Sequence, residues 1–385
     1  MTHISIPNIL FKLEFILSQD LASQRPGPNY VKLNPRMLEK ILTKISYDIA
    51  IDLGTSSILV YVRNKGIIAN EPSVITIHKK TKQVLAVGSE AKKMIGKTPQ
   101  NLEAIRPLRN GVISDFYATE QLLSHFVTLI NNLPSKFPKY PRPKVVIGVP
   151  SGLTSVERKA VVDSALNAGA RKALLVEEPM AAAIGAGLPV KQASGSMIVD
   201  SGGGTTEIAV ISLGGTVLNR SIKIAGDQLD QDIVNYARQK YNLLLGEKTA
   251  EELKCQFGTA TEILSNKGNV PDKFVLQGRD LKTGLPRSIT APSSELRDAM
   301  KTSLHQIVNA IKDVLESIPA ELMPDILKSG LTLAGGTSLL TGLPKFISTE
   351  INAPVYVATD PVTCVVRGCG YLLEDEKLLE LVRIK

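Results

Sequence analysis

Two aspartates, Asp52 and Asp200, stand 148 positions apart in matching surroundings. Asp52 closes the apolar run Ile49-Ala50-Ile51 and opens onto Leu53-Gly54-Thr55-Ser56-Ser57. Asp200 closes Ile198-Val199 and opens onto Ser201-Gly202-Gly203-Gly204-Thr205. A second apolar run follows each turn, beginning at Ile58 and at Ile208. Each stretch reads as a β-hairpin with a carboxylate at the lip of a turn poor in side chains. Glycine lets backbone approach a ligand closely, and successive turn N–H groups can form an anion nest. Two such loops can grip a polyphosphate from both sides while the two carboxylates hold a hydrated divalent cation against it. One Asp before glycine is ordinarily a turn residue. Its recurrence at domain-length spacing points to a duplicated fold with nucleotide between the halves.

Other groups suit hydrolysis or nucleoside contact. The buried-looking run Leu174–Val176 leads into Glu177-Glu178-Pro179-Met180 and three alanines, a helix start. A carboxylate there can orient an attacking water, or merely complement the helix dipole. Composition alone leaves Glu177 and Glu178 equal in this respect. Thr205 offers a hydroxyl to a terminal phosphate or to that water. Glu251 and Lys254 lie one helical turn apart, as a nucleoside clasp or an ordinary surface pair. Leu331–Ala334 followed by Gly335-Gly336-Thr337-Ser338 is a third close-approach turn. No Ser/His/Asp or Cys/His arrangement is apparent.

The elements that must position these groups alternate between strand and helix, an α/β architecture. Lys144–Val149 reads as a strand, and Thr154-Ser155-Val156-Glu157 as a capping box opening a helix that Gly169 can close. Residues 47–185 are expected to form a first domain with a small insertion near 69–112. Residues 186–359 should form a second, with an insertion near 226–290 that is helical and then polar and Gly-rich. Residues 360–385 return to the first. A chain of 385 residues supports two domains or four subdomains.

No apolar stretch reaches the ~18 residues that span a bilayer. The net charge of +8 is spread along the chain and lacks the basic stripe with aromatics of a nucleic-acid binder. Three cysteines without metal-site spacing read as reduced thiols in cytosol. Residues 1–36 read as a leader or extension joined by a linker. Over 37–46, Leu38, Ile41, Leu42 and Ile45 share one helical face beside Arg36, Lys40 and Lys44. Such a helix suits a membrane interface, or packing on its own domain. Leu133, Phe137 and Tyr140 sit in a basic loop with Pro134, Pro138, Pro141 and Pro143, a second candidate for membrane or partner contact.

The motifs taken together resemble the actin superfamily, and most closely its MreB family of bacterial actin homologues. The resemblance rests on Ile51–Thr55, Asn70–Val74, Lys97–Pro99, Ala104–Pro107, Gly111–Phe116, Val156–Arg158, Glu177–Val190, Gly202–Gly215 and Gly246–Glu251 in order. It implies an actin-like ATPase fold of four subdomains around a nucleotide cleft. It also implies Mg-dependent ATP binding, slow hydrolysis, and self-assembly into filaments on the inner face of the cell membrane that guide wall synthesis and rod shape. MreC and RodZ are the partners implied, without nucleic acid. Carried residue by residue, the metal falls to Asp52 and Asp200. Phosphate falls to Gly54, Thr55, Ser56 and Gly202 to Thr205. Glu178 becomes the water-activating acid with Thr205 its helper. Glu251 and Lys254 contact the nucleoside, and Gly335, Gly336, Thr337 and Ser338 its adenosine side. Ile58, Ser201, Ala334 and Gln256 depart from the family's usual residues without removing the metal or hydrolysis groups. A small-molecule kinase of the same superfold is the alternative.

Overall fold

A computed structural model describes residues 46–133, 142–262 and 271–384. The expected 37–46 helix, apart from Ser46, and the 133–140 loop, apart from Leu133, lie outside them. The first half begins with β1 (Ile49–Leu53), β2 (Ser57–Val62) and β3 (Gly66–Pro72). A small insertion follows, with β4 (Ile75–His78), β5 (Val84–Val87), α1 (Ser89–Met94) and β6 (Leu102–Ile105). Two short strands, β7 (Leu108–Arg109) and β8 (Val112–Ile113), lead to α2 (Phe116–Asn131). Then come β9 (Lys144–Val149), α3 (Ser155–Asn167), β10 (Lys172–Glu177) and α4 (Glu178–Gly185). The Thr154 hydroxyl accepts from the Glu157 N–H, and the Glu157 carboxylate accepts from the Thr154 N–H, so the capping box forms as read.

The second half repeats the plan. It comprises β11 (Ser196–Ser201), β12 (Thr206–Ser212), β13 (Gly215–Ile222), α5 (Gly226–Tyr241), β14 (Leu243–Leu244) and α6 (Glu247–Phe257). It continues with β15 (Lys273–Asp280), β16 (Pro286–Pro292), α7 (Ser294–Glu316), α8 (Met323–Ser329), β17 (Leu331–Ala334), α9 (Leu343–Ile351) and β18 (Val355–Val357). The chain closes with α10 (Cys364–Glu374) and α11 (Glu376–Val382). The polar stretch read as Gly-rich thus holds the β15–β16 hairpin. Phe274, Leu276 and Asp280 are buried along β15 while Val275 and Gln277 face out. That alternation is a strand signal which the many intervening polar residues masked.

Sheet order makes the duplication explicit. The first sheet runs β10-β9-β1-β2-β3 and the second β18-β17-β11-β12-β13. In each, three parallel strands precede two antiparallel ones. The carboxyl ends of β1 and β11 therefore occupy equivalent places, and ligands of α/β sheets bind outside such ends. The parallel strands are almost wholly apolar because helices cover both faces, and β9 is buried along its entire length.

Helices α4 and α10 hold the halves together. Both contribute to one apolar cluster that also takes in Ala50 of β1 and Ile198 of β11. They approach so closely that a Cβ on Gly185 would overlap the Cys364 carbonyl oxygen, and one on Gly368 the Ala181 carbonyl oxygen. Only glycine allows this backbone contact.

At the opposite end of the first sheet lies a buried ion pair. Arg171 Nη1 stands 2.7 Å from Asp48 Oδ1, and Asp48 is wholly buried. The same oxygen accepts from the Ser46 hydroxyl at 2.7 Å and the Lys144 N–H at 3.0 Å. Arg171 also donates to the Arg142 carbonyl at 3.0 Å. Asp48→Ala would remove the buried carboxylate that faces the guanidinium and serves two further donors, and should cost about 3–5 kcal/mol of stability by urea unfolding. A loss below ~1 kcal/mol would mean that water already solvates this pair.

Candidate functional site

The two hairpins expected from the sequence face one another across a cleft. Asp52, next to last in β1, pairs with Leu59, and Asp200, next to last in β11, pairs with Glu207. A Cβ on Gly203 would strike the Ser56 side chain, and one on Gly204 the Thr55 side chain. The glycines of one turn are thus the clearance for the hydroxyl residues of the other. The cleft between them has a volume of about 230 Å³. Gly54, Thr55, Ser56, Gly202 to Thr205, Glu178, Glu251, Lys254 and Gly335 to Thr337 all line it, with Asp52 and Asp200.

Ser338 is placed differently. Its buried hydroxyl donates to the Gly335 carbonyl at 2.6 Å and braces the turn from behind. Thr337 donates to the Gly202 carbonyl at 2.8 Å, tying the third turn to the second hairpin. After Gly335 the chain makes a short 3₁₀ turn over Gly336–Leu339. Geometry separates the two neighbouring acids. Glu178 is buried in the cleft at the start of α4, whereas Glu177 stands at the N-cap position without a side-chain cap bond and accepts from Thr216 Oγ1 at 3.3 Å.

The floor of the cleft is crowded with negative charge. Burial, and after it the carboxylates of Asp52, Glu207 and Asp200, hold the Glu178 carboxyl well above its usual range. Burial, then Asp52 and Glu207, do the same to Asp200. Desolvation pushes Asp52 up to about 7. Carboxylates so placed ionise together only if a cation joins them. Among the described residues no three acid, histidine or cysteine side chains form a metal cage unaided. That donor set fits Mg²⁺, which is typically held by one or two carboxylates, several waters and substrate phosphate oxygens.

One wall of the cleft is built from α5 and α6. Lys254 Nζ donates to the Gly226 carbonyl at 2.7 Å and stands 2.8 Å from Asp230 Oδ1. Glu251 pairs with Lys92 of the small insertion at 2.8 Å. Three further residues escaped the sequence reading. Asp227, at the first turn of α5, accepts from the Ser56 hydroxyl at 3.0 Å. The Gly111 N–H donates to Thr55 Oγ1 at 2.9 Å. Asp230 lines the cleft beside Lys254. Gly226-Asp227 at a helix start after a strand was the available signal for Asp227; Gly111 opens one of the family-like stretches, but nothing in the residues paired it with Thr55.

The family model described as MreB/Mbl protein matches residues 46–381. The chain belongs to the MreB/Mbl family. It is 47% identical to the cell shape-determining protein MreB of Escherichia coli K12 over 342 residues, 88% of this chain and 96% of that protein. It is 46% identical to the cell shape-determining protein Mbl of Bacillus subtilis 168, over 85% of this chain and 96% of that one. The crystal structure of MreB5 of Spiroplasma citri bound to ADP superposes with a TM-score of 0.80 at 34% identity, covering 86% and 97% of the two chains. An actin-like fold is therefore the fold of this MreB/Mbl family member.

Burial raises Asp230 to about 6 even though Lys254 beside it opposes the shift. A carboxyl whose folded pKa lies above its unfolded value of 3.8 costs stability as pH rises from about 4 through 6. Asp230→Asn should therefore be more stable than the parent at pH 7.5, by on the order of 1–3 kcal/mol. The gain should vanish toward pH 4. Destabilisation at pH 7.5 in urea titrations would show that the Lys254 pair outweighs desolvation.

Proposed function

We propose that this chain is an ATP-binding and slowly ATP-hydrolysing actin-like protein that polymerises into membrane-associated filaments. In this reading the filaments lie on the inner face of the cell membrane, guide wall synthesis and determine rod shape. Its partners are further copies of itself and wall-elongation proteins such as MreC and RodZ. The observation that carries the nucleotide reading is the meeting of two glycine turns over buried carboxylates in a cleft between duplicated sheets. The ADP bound by the related MreB5 supports it. Relatives named as cell shape-determining proteins favour a structural ATPase over a small-molecule kinase of the same superfold. Among the described residues no helix is long and apolar enough to cross a membrane, so attachment in this reading is peripheral.

Each residue then has a task. Backbone N–H groups of Gly54 to Ser56 and of Gly202 to Gly204 cradle the phosphates. Asp52 and Asp200 would hold Mg²⁺, which when bound neutralises phosphate charge. Glu178 orients the attacking water with help from the Thr205 hydroxyl. Glu251 and Lys254 contact the nucleoside, and Gly335 to Thr337 line its adenosine side over the Ser338 brace.

Asp200→Ala should lose Mg-ATP binding in fluorescent-nucleotide titrations. Glu178→Ala should bind ATP but release phosphate about 10²–10⁴-fold more slowly, leaving filaments that persist. Glu177→Ala should behave as the parent, because its side chain faces Thr216. Loss of hydrolysis in Glu177→Ala with Glu178→Ala active would reverse the assignment. Electron microscopy of the purified protein with ATP and anionic liposomes tests the filament reading. Phosphoryl transfer to a small acceptor, without polymer, would favour the kinase.

A further inference from the structure

The β11–β12 register sets Glu207 directly opposite Asp200, and this carboxylate is only 1% exposed. Its neighbours come from both halves of the fold. Oε1 accepts from the Ser221 hydroxyl of β13 at 2.6 Å. Oε2 accepts from the Ser151 N–H at 3.4 Å, and Ser151 belongs to the turn that follows β9 in the other half. The halves also touch beside it, since a Cβ on Gly152 would lie 3.7 Å from Ser221 Cβ.

Pro150, adjoining Ser151, reaches the hydrolysis site. A Cβ placed on Gly111 would come within 2.9 Å of both Pro150 Cγ and Thr205 Cγ2. Gly111 has φ +76°, so glycine is favoured there on conformational grounds as well. The Thr205 methyl and the Pro150 ring therefore both border the space that Gly111 leaves open. Threonine is β-branched, so fixing its methyl fixes the direction of its hydroxyl.

We propose that Glu207 is a positioning residue for hydrolysis, holding the Pro150-Ser151 turn so that this turn orients Thr205 from across the cleft. The proposal rests on the nucleotide reading of the cleft. Glu207 touches neither water nor phosphate in this scheme. It acts through a contact between halves, so the Thr205 hydroxyl is aimed only while the two halves are seated together.

The test is a double-mutant cycle on the full chain. Glu207→Ala should slow phosphate release about 10- to 100-fold, as small misplacements at reacting groups do, with ATP affinity within about twofold of the parent. Thr205→Val should slow it comparably, and the double variant no further. Glu207→Gln keeps shape and one acceptor oxygen, and should recover the rate to within about threefold. Hydrogen exchange at the Ser151 amide, measured without nucleotide, should speed up at least ~10-fold in Glu207→Ala and little in Glu207→Gln. Multiplying effects of the two substitutions, a parallel fall in affinity, or a Glu207→Gln as slow as Glu207→Ala would overturn the proposal. So would an unchanged Ser151 amide. Should the parent itself neither bind nor hydrolyse ATP, the cleft reading fails, and the exchange measurement still decides whether Glu207 holds the turn.

Discussion

Everything at the cleft depends on how closely the two hairpin turns approach. Ser56 and Thr55 occupy the places where side chains on Gly203 and Gly204 would stand. A methyl group on either glycine would push the second turn away from the first, and with it the carboxylate that precedes it. Removing side chains at this meeting point leaves the turn backbone open to the cleft and lets two acids share one floor. Like charges gathered there raise one another's pKa, and burial raises them further. The cost of that arrangement is electrostatic, and a cation among the carboxylates would lower it.

The turns meet only because larger parts bring them together. Two sheets of the same strand order present β1 and β11 at equivalent positions, and α4 and α10 cross between them at Gly185 and Gly368. That crossing is another backbone-to-backbone contact without side chains. Glycine thus serves twice, at the cleft and at the junction behind it. Between these points the halves are joined by polar contacts: Ser56 with Asp227, Lys92 with Glu251, and Glu207 with Ser151. Partly exposed ion pairs such as Lys92–Glu251 contribute little each. The apolar packing of α4 against α10 is the dominant tie, while the polar contacts set the angle at which the turns face one another.

The small insertion and the α5–α6 region shape one end of the cleft. Lys254 has no freedom to wander, since Asp230 and the Gly226 carbonyl hold its ammonium. Glu251 is engaged by Lys92 from the opposite wall. A ligand contacting Glu251 therefore touches both walls through one carboxylate.

Much of this was legible in the residues themselves. The repeated Asp-to-glycine turns declared a duplication, because a pattern of apolar run, acid and small-residue turn is a local property of the chain. The capping box at Thr154, the helix start at Glu178 and the strand at Lys144–Val149 were legible for the same reason: each is decided by neighbours within a few positions. The β15–β16 hairpin was not, since only one face of it meets the core and its polar face dominates the sequence. The roles of Asp227, Gly111 and Ser338 were likewise hidden, because each is defined by a partner that folding supplies. The choice between Glu177 and Glu178 shows the limit most clearly. The two carboxylates are adjacent and chemically alike, and the sequence determined only that an acid begins this helix. The tertiary structure turned one toward Thr216 and buried the other beside Asp52 and Asp200, because successive residues at the strand–helix junction point in different directions.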